Sequence, residues 1–170
     1  RIYAGITALL VGLLMLGGMD WFDSICHAFA TTGTGGFSTK QASVAYYKSP
    51  YIEYVISIFM FISGINFTLL LLFVNRKFKK FIGNAELKFY FGSVVLFTAV
   101  IAIVLYYTSP MGMEESFRKS LFQVISLQTS TGFATDDYMQ WTPVLWGLLT
   151  IIMLMGACAG STTGGLKCIR

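Results

Sequence analysis

The sequence predicts an all-α integral membrane protein made of repeated units. Each unit has a membrane helix, a short half-helix, a polar glycine-rich turn and a second membrane helix. Three observations carry this prediction. The mean hydropathy is +0.68 and only 12% of the 170 residues are charged, which is too apolar for an ordinary soluble domain. A hydroxyl- and glycine-rich stretch occurs twice. The 12 basic and 8 acidic residues are segregated along the chain.

The repeated stretch defines the units. Residues 34–39 read Thr-Gly-Gly-Phe-Ser-Thr, and 96 positions later residues 130–135 read Ser-Thr-Gly-Phe-Ala-Thr. With the same shift, Ser-Ile-Cys-His at 24–27 aligns with Ser-Leu-Phe-Gln at 120–123. A repeat of this length suits a pseudo-symmetric membrane protein better than a solenoid.

The first unit begins with an apolar segment from Ile2 to Gly18, the first candidate span. It has no small-x-small cleavage site, which disfavours a signal peptide. Asp20 and Asp23 suit the N-cap and first turn of a helix from about Trp21 to Thr31. Such a helix is about 15 Å long, half a hydrocarbon core. The glycine stretch is therefore predicted to begin at mid-membrane depth.

After a polar loop, Pro50 fits the first position of a helix that is predicted to span the membrane from Tyr51 to about Asn75. Glu53, near its outer end, is predicted to be an interfacial carboxylate. Gly64 and Asn66, near its middle, are predicted to serve helix packing and hydrogen bonding, with a direct ion ligand as the alternative.

The second unit repeats this order. Leu87 to Tyr107 is the next predicted span. Glu114 and Glu115 then mark the acidic start of a short helix, Ser116 to Gln128. The second glycine turn follows, and another span begins at Val144.

The charges predict the orientation. Eight basic residues against one acid fall on one side of these spans, and four basic residues against seven acids fall on the other. The basic excess marks the cytoplasmic side. One basic cluster is interpreted as a solvated loop that sets topology: Arg76, Lys77, Lys79, Lys80 and Lys88.

The glycine turns suit two strips of a cation-selective filter. Irregular backbone at membrane depth is tolerated only where protein buries it or water reaches it. Backbone carbonyls there can replace the hydration shell of a potassium ion. The half-helices end in their partly negative C-termini, which favours a cation and disfavours a phosphate cradle. A re-entrant turn in a transporter for another substrate is the alternative. Four acids are expected to concentrate cations at the outer mouth: Asp20, Asp23, Asp136 and Asp137.

A third glycine-rich stretch, residues 156–165, interrupts the last span roughly 21 Å from its start. It has neither the Walker spacing nor a preceding strand of a nucleotide loop. We interpret it as an intramembrane gate below the filter, with a packing kink as the alternative. The gate loop is predicted to comprise Gly160, Ser161, Thr162, Thr163, Gly164 and Gly165.

Other classes of function are disfavoured. The three cysteines are far apart and have no zinc or disulfide spacing. No basic run is interleaved with aromatics, so no nucleic-acid surface is expected. The single histidine, His27, has no partner at catalytic spacing and is expected to be packed, so we do not predict an enzyme.

Four motifs carry a family resemblance: Thr-Gly-Gly-Phe-Ser-Thr at 34–39, Gly-Ile-Asn-Phe at 64–67, Ser-Thr-Gly-Phe-Ala-Thr at 130–135 and Ala-Gly-Ser-Thr-Thr-Gly-Gly-Leu-Lys at 159–167. In this order they resemble the Trk/Ktr/HKT potassium transport family, most closely its bacterial TrkH type of membrane subunit. In that family four membrane–pore-loop–membrane units surround one pore. The resemblance implies that residues 1–84 are most of the second unit, truncated at its N-terminus. Residues 85–170 would be the third unit, truncated within its second membrane helix after the gate loop.

The resemblance also assigns roles to residues. The carbonyls of the potassium filter would come from Thr34, Gly35, Gly36, Ser130, Thr131 and Gly132. Phe37 and Phe133 would brace the filter from behind, and residues 160–165 would form the gate. Glycine at the key filter position, here Gly36 and Gly132, is associated with potassium selectivity in the family.

The implied function is potassium uptake across the cell membrane, in a multi-pass protein surrounded by lipid. A sodium-permeable or cation-coupled carrier on the same scaffold is the alternative function. Potassium would be the transported ion, and no organic cofactor is expected in this chain. The resemblance further implies a homodimer and a cytosolic nucleotide-binding regulatory subunit. No nucleic-acid partner is expected, because no basic run is interleaved with aromatics.

Overall fold

The computed structural model describes residues 2–164, and the regular structure in that range is entirely helical. This confirms the predicted all-α class. The first unit contains α1 (Ile2–Leu16), α2 (Trp21–Thr32), a 3-10 turn (Ser43–Tyr47), α3 (Pro50–Ser63) and α4 (Phe67–Val74). A short helix, α5 (Phe78–Ile82), connects it to the second unit. That unit contains α6 (Ala85–Thr108), α7 (Met113–Gln128), a 3-10 turn (Tyr138–Gln140) and α8 (Pro143–Met155).

The two predicted half-helices, α2 and α7, have 12 and 16 residues, about 18 and 24 Å of helix. Pro50 and Pro143 stand in the first turns of α3 and α8, where a residue without an N–H costs nothing. Asp20 occupies the N-cap position of α2, but its side chain makes no capping hydrogen bond. The prediction is therefore right about the position and wrong about the cap.

Of the helices in residues 2–164, only α6 is long and apolar enough to cross a membrane alone. Its 24 residues correspond to about 36 Å, slightly more than a hydrocarbon core. Helices α1 and α8 are apolar but shorter, at 15 and 13 residues.

The span predicted from Tyr51 to about Asn75 is not one continuous helix. Helices α3 and α4 are bent by 104° at a short break between them. The side-chain oxygen of Asn66 accepts a hydrogen bond from the N–H of Thr68 at 2.8 Å, which caps α4 and starts it in a new direction. Gly64 lies so close to the Tyr90 hydroxyl that a Cβ would collide with it. Gly64 and Asn66 thus serve packing and hydrogen bonding, as expected, but at a sharp bend.

The two units meet where α3 packs against α7. Arg118 on α7 donates to the carboxylate of Glu53 on α3, and the two side chains are only 10% and 7% exposed. Arg118 Nε also donates to Glu114 at 3.0 Å. Glu53 is therefore not the interfacial carboxylate that was predicted. It is half of a buried ion pair. The sequence around Glu53 does not predict this pair, because the partner, Arg118, comes from the next unit.

Replacing Arg118 with methionine should destabilise the protein by roughly 3 kcal/mol, because a buried carboxylate loses its counter-charge. Thermal unfolding in detergent measures this loss. The double variant Glu53→Gln with Arg118→Met should recover part of it, since no charge is then left buried. Lys48→Met, at an exposed loop position, is the control. If Arg118→Met were as stable as the control, the buried ion pair would not stabilise the protein.

Candidate functional site

The backbone follows the same path from each half-helix into its glycine turn. In each unit, three backbone N–H groups beyond the helix donate to carbonyls of its last turns. In the first unit these bonds run from Gly33 to Phe29, Thr34 to Thr31 and Gly35 to Ala30, at 2.9, 3.3 and 2.8 Å. In the second they run from Thr129 to Ile125, Ser130 to Leu127 and Thr131 to Ser126, at 2.9, 3.0 and 2.9 Å. The sequence repeat is therefore also a repeat of backbone geometry.

Left-handed backbone conformations follow at matched positions. The φ angles are 50° at Thr34 and 54° at Ser130, and 66° at Gly36 and 84° at Gly132. For threonine and serine this region costs roughly 1–2 kcal/mol. Strain of this kind persists only where the surroundings hold it, and it clusters at functional sites.

The two predicted filter strips, residues 34–36 and 130–132, lie against each other; we call them the filter strips below. A Cβ added to Gly36 would collide with the backbone carbonyl of Thr131. Glycine is thus required at position 36 both by its positive φ and by the neighbouring strip. Nothing in the described part of the chain lies within 4 Å of the corresponding Cβ on Gly132.

The carbonyl oxygens of both strips are available to a ligand. Within residues 2–164, no hydrogen bond reaches the backbone oxygens of positions 34–36 or 130–132. The strips also directly follow the C-termini of α2 and α7, where the helix dipole is negative. Open carbonyls at such a place can coordinate a dehydrated cation and repel an anion.

The two predicted supporting phenylalanines differ. Phe133 is fully buried and stacks on His27 of the first unit, with ring centroids 5.7 Å apart. Phe37 is 83% exposed in this chain. Phe133 of the second unit thus packs on the half-helix of the first. The bracing role of both residues stays a prediction.

His27 is packed, as expected, and its hydrogen bonds tie the filter to its half-helix. Its Nδ1 lies 2.7 Å from the backbone oxygen of Asp23, which can only accept, so Nδ1 carries the proton. Its Nε2, 2.9 Å from Ser38 Oγ, then accepts from that hydroxyl. Ser38 lies just beyond the first strip, so His27 holds the outgoing end of the filter.

The four acids predicted to line an outer mouth carry less free negative charge than the sequence suggests. Asp23 pairs with Lys40 at 3.1 Å, and Asp136 pairs with Lys119 at 3.0 Å. Asp20 makes no ion pair within the described residues. The hydrogen bond to Asp23 raises the pKa of Lys40, so this pair stays charged at neutral pH. Two of the four expected cation-attracting acids are therefore neutralised by lysines.

The glycine-rich break after α8 is present. Helix α8 ends at Met155, and Gly156 and Gly160 have φ angles of 49° and 73°. The expected gate loop is described over residues 160–164, and Gly165 lies outside the described residues. The same holds for Arg1, Lys167 and Arg170, three of the eight basic residues that were predicted to lie on the cytoplasmic side.

This loop touches the base of the first filter strip. Thr34 Oγ1 donates to the backbone oxygen of Thr162 at 3.0 Å. Thr162 Oγ1 lies 3.4 Å from the carbonyl oxygen of Thr32 and 3.3 Å from that of Ser63. A Cβ on Gly164 would come within 3.5 Å of Ser130 in the second strip. The loop is thus in reach of both strips.

The loop is also joined to the bend between α3 and α4. The N–H of Cys158 donates to the carbonyl of Gly64 at 3.2 Å, and the N–H of Phe67 donates to that of Gly160 at 3.1 Å. The bend and the loop therefore satisfy each other's backbone groups, which irregular backbone in a membrane requires.

Sequence reasoning missed Glu86 as part of this site. Its carboxylate accepts a hydrogen bond from the N–H of Ala159. It was counted only as the single acid on the basic side. The signal available in the sequence was that Glu86 is the single acid among the basic residues of positions 76–88.

Comparisons with known proteins agree with this geometry. Residues 10–170 match the family model described as "TrkH: Cation transport protein". The chain is 38% identical, over 99% of its length, to the Trk system potassium uptake protein TrkH of Escherichia coli (strain K12), and covers 35% of that protein. It is 36% identical to TrkG of the same strain, with 91% of the chain and 32% of TrkG covered.

A solved structure is also similar. The crystal structure of the potassium transporter TrkH from Vibrio parahaemolyticus superposes with a TM-score of 0.93 at 35% identity. The superposition covers 99% of this chain and 37% of that one. The chain thus spans about a third of the length of the relatives it matches.

Proposed function

The chain belongs to the TrkH family of cation transport proteins, and on that premise we propose that it forms two adjacent quarters of a potassium-uptake pore in the cell membrane. In this proposal residues 1–84 belong to the second of four pore units and residues 85–170 to the third. The observation that carries it is the matched pair of filter strips, with open carbonyls at the C-termini of two half-helices.

The proposed mechanism follows from the backbone. A potassium ion entering the filter loses its water, and carbonyl oxygens replace that water. Thr34, Gly35 and Gly36 supply these oxygens on one side of the ring, and Ser130, Thr131 and Gly132 on the next. The negative ends of α2 and α7 favour the ion as it arrives. The chain's relatives are potassium uptake proteins by name, which supports the choice of ion.

We assign the gate to the loop over residues 160–165. Its contacts to Thr34 and its approach to Ser130 support this role, because a segment there stands next to the path of an ion leaving the filter. The break between α3 and α4 gives the loop hydrogen-bonding partners while it is in place. The homodimer and the cytosolic nucleotide-binding regulatory subunit stay predictions from the family resemblance.

Flux through the full-length protein tests the proposal. Reconstituted in lipid vesicles, it should pass potassium at least about tenfold faster than sodium, because carbonyl coordination discriminates between the two ions. Paired measurements with and without an opposing proton or sodium gradient separate a channel from a coupled carrier. Equal passage of both ions would favour the sodium-permeable alternative. No potassium flux in any gradient would overturn the proposal.

A further inference from the structure

Each half-helix is joined by an ion pair to the chain that leaves its filter strip, and the two pairs have opposite polarity. In the first unit, Asp23 of α2 pairs with Lys40. In the second, Lys119 of α7 pairs with Asp136. Positions 23 and 119 are related by the 96-residue shift of the repeat, and so are positions 40 and 136. The acid and the base have therefore exchanged places while the contact has stayed.

The two pairs join equivalent parts of the structure. The helix partner is the third residue of α2 in the first unit and the seventh residue of α7 in the second. In both units the other partner lies four residues beyond the glycine at position 36 or 132. The helix partners are the more shielded, with side chains 8% exposed at Asp23 and 15% at Lys119. Their loop partners, Lys40 and Asp136, are 31% and 25% exposed. Each pair thus closes the chain segment that contains the filter strip.

Further contacts fix each helix partner according to its charge. Asp23 accepts hydrogen bonds from Thr39 Oγ1 and from the Tyr47 hydroxyl, each at 2.7 Å. Lys119 instead donates to Glu115, one turn earlier on α7, at 3.0 Å. Asp23 lies in the first turn of α2, where the helix dipole favours an acid. Lys119 lies in the second turn of α7, beyond the reach of the dipole, and its charge is matched by Glu115 as well as by Asp136.

We propose that Asp23–Lys40 and Lys119–Asp136 are positioning pairs that hold the outgoing ends of the two filter strips, so that ion selectivity depends on attraction within each pair and not on its polarity. This inference deepens the proposed potassium pore and rests on it. It differs from the expectation that these acids attract cations at the mouth. If the acids attracted cations, ion selectivity would depend on the sign of the charge at each position, and the two lysines would not contribute to it.

The second unit offers the sharper test, because its polarity can be converted to that of the first. Lys119→Asp and Asp136→Lys exchange the charges. Glu115→Met removes the acid that would repel the carboxylate introduced at position 119, and methionine is the residue at the equivalent position, Met19. Thr135 corresponds to Thr39, and its buried hydroxyl has no hydrogen-bond partner among the described residues. It is therefore a candidate donor to the introduced carboxylate.

The experiment uses the full-length protein in vesicles and measures the ratio of potassium to sodium flux. Lys119→Asp or Asp136→Lys alone should lower this ratio at least about threefold, the scale of a partly shielded ion pair. The triple variant Glu115→Met, Lys119→Asp, Asp136→Lys should recover most of the loss. In the first unit, the double variant Asp23→Lys, Lys40→Asp should recover a smaller part of the flux ratio that its two single variants lose. The reason is that Thr39 and Tyr47 then lose the carboxylate of Asp23 as their hydrogen-bond acceptor. Lys48→Met, at an exposed loop position outside both pairs, is the control and should leave the ratio nearly unchanged.

The single and triple variants of the second unit decide whether the ion pairs position the filter strips. Single variants that keep the wild-type ratio, or a triple variant no better than its worst single, would overturn it. Where a reversed charge prevents assembly, the neutral variants Lys40→Met and Asp136→Asn give the same comparison with a smaller perturbation. Wild-type protein that passes no potassium would instead contradict the proposed function, so the two failures are distinguishable.

Discussion

Replacing Gly36 with serine should reduce the ratio of potassium to sodium flux at least about tenfold, and Gly132→Ser should do the same. At Gly36 the cause is visible in the chain. Its φ of 66° strains any L side chain, and a Cβ there meets the carbonyl of Thr131 in the next strip. Backbone cannot swing aside as a side chain can, so both strips must shift. Vesicle flux of each variant against each ion measures the effect.

The result for Gly132 tests the number of strips. Its φ of 84° carries the same strain, but the described residues leave open space around its Cβ. If four units close a ring, a further strip stands beside Gly132 as Thr131 stands beside Gly36. Gly92→Ser, a helical position with open space around its Cβ, is the control and should keep selectivity. A large loss at Gly36 with little at Gly132 would contradict a closed ring of four strips.

The sequence was sufficient for features that depend on nearby residues. Pro50 and Pro143 mark helix starts whatever the tertiary structure, because proline lacks an N–H. The polar glycine stretches end α2 and α7 within a residue of the predicted positions. The two glycine turns followed from the sequence repeat, which needs no knowledge of contacts. The filter roles of their individual residues stay a prediction from the family resemblance.

What the sequence did not predict depends on distant partners. The bend at Gly64 is stabilised by a hydrogen bond from Cys158, and Phe67 beyond it bonds to Gly160. Neither partner is suggested by the apolar run around the bend. Glu53 resembles an interfacial acid until Arg118 of the next unit is placed beside it. The inverted pairs also escape residue matching, because aspartate aligned with lysine counts as a mismatch although the contact between the pair is retained.

Releasing the gate loop should increase potassium flux. The loop is held by the hydrogen bond from the N–H of Ala159 to Glu86 and by the contacts of Thr162 to the filter base. A hydrogen bond to a charged group contributes roughly 1.5–3 kcal/mol, so losing it shifts a closed–open equilibrium about tenfold or more. Glu86→Ala should therefore raise flux, and deletion of residues 160–165 should raise it further or abolish its regulation.

Graded variants separate a gate from a packing kink. Thr162→Val keeps the side-chain shape but removes the hydroxyl that reaches the carbonyls of Thr32 and Ser63, so it should raise flux less than Glu86→Ala. Lys88→Ala, an exposed change two residues from Glu86 on α6, is the matched control and should leave flux unchanged. If the loop only packs helices together, Glu86→Ala and the deletion should lower thermal stability without raising flux. Unchanged flux in the deletion variant, with the protein still folded, would contradict the gate.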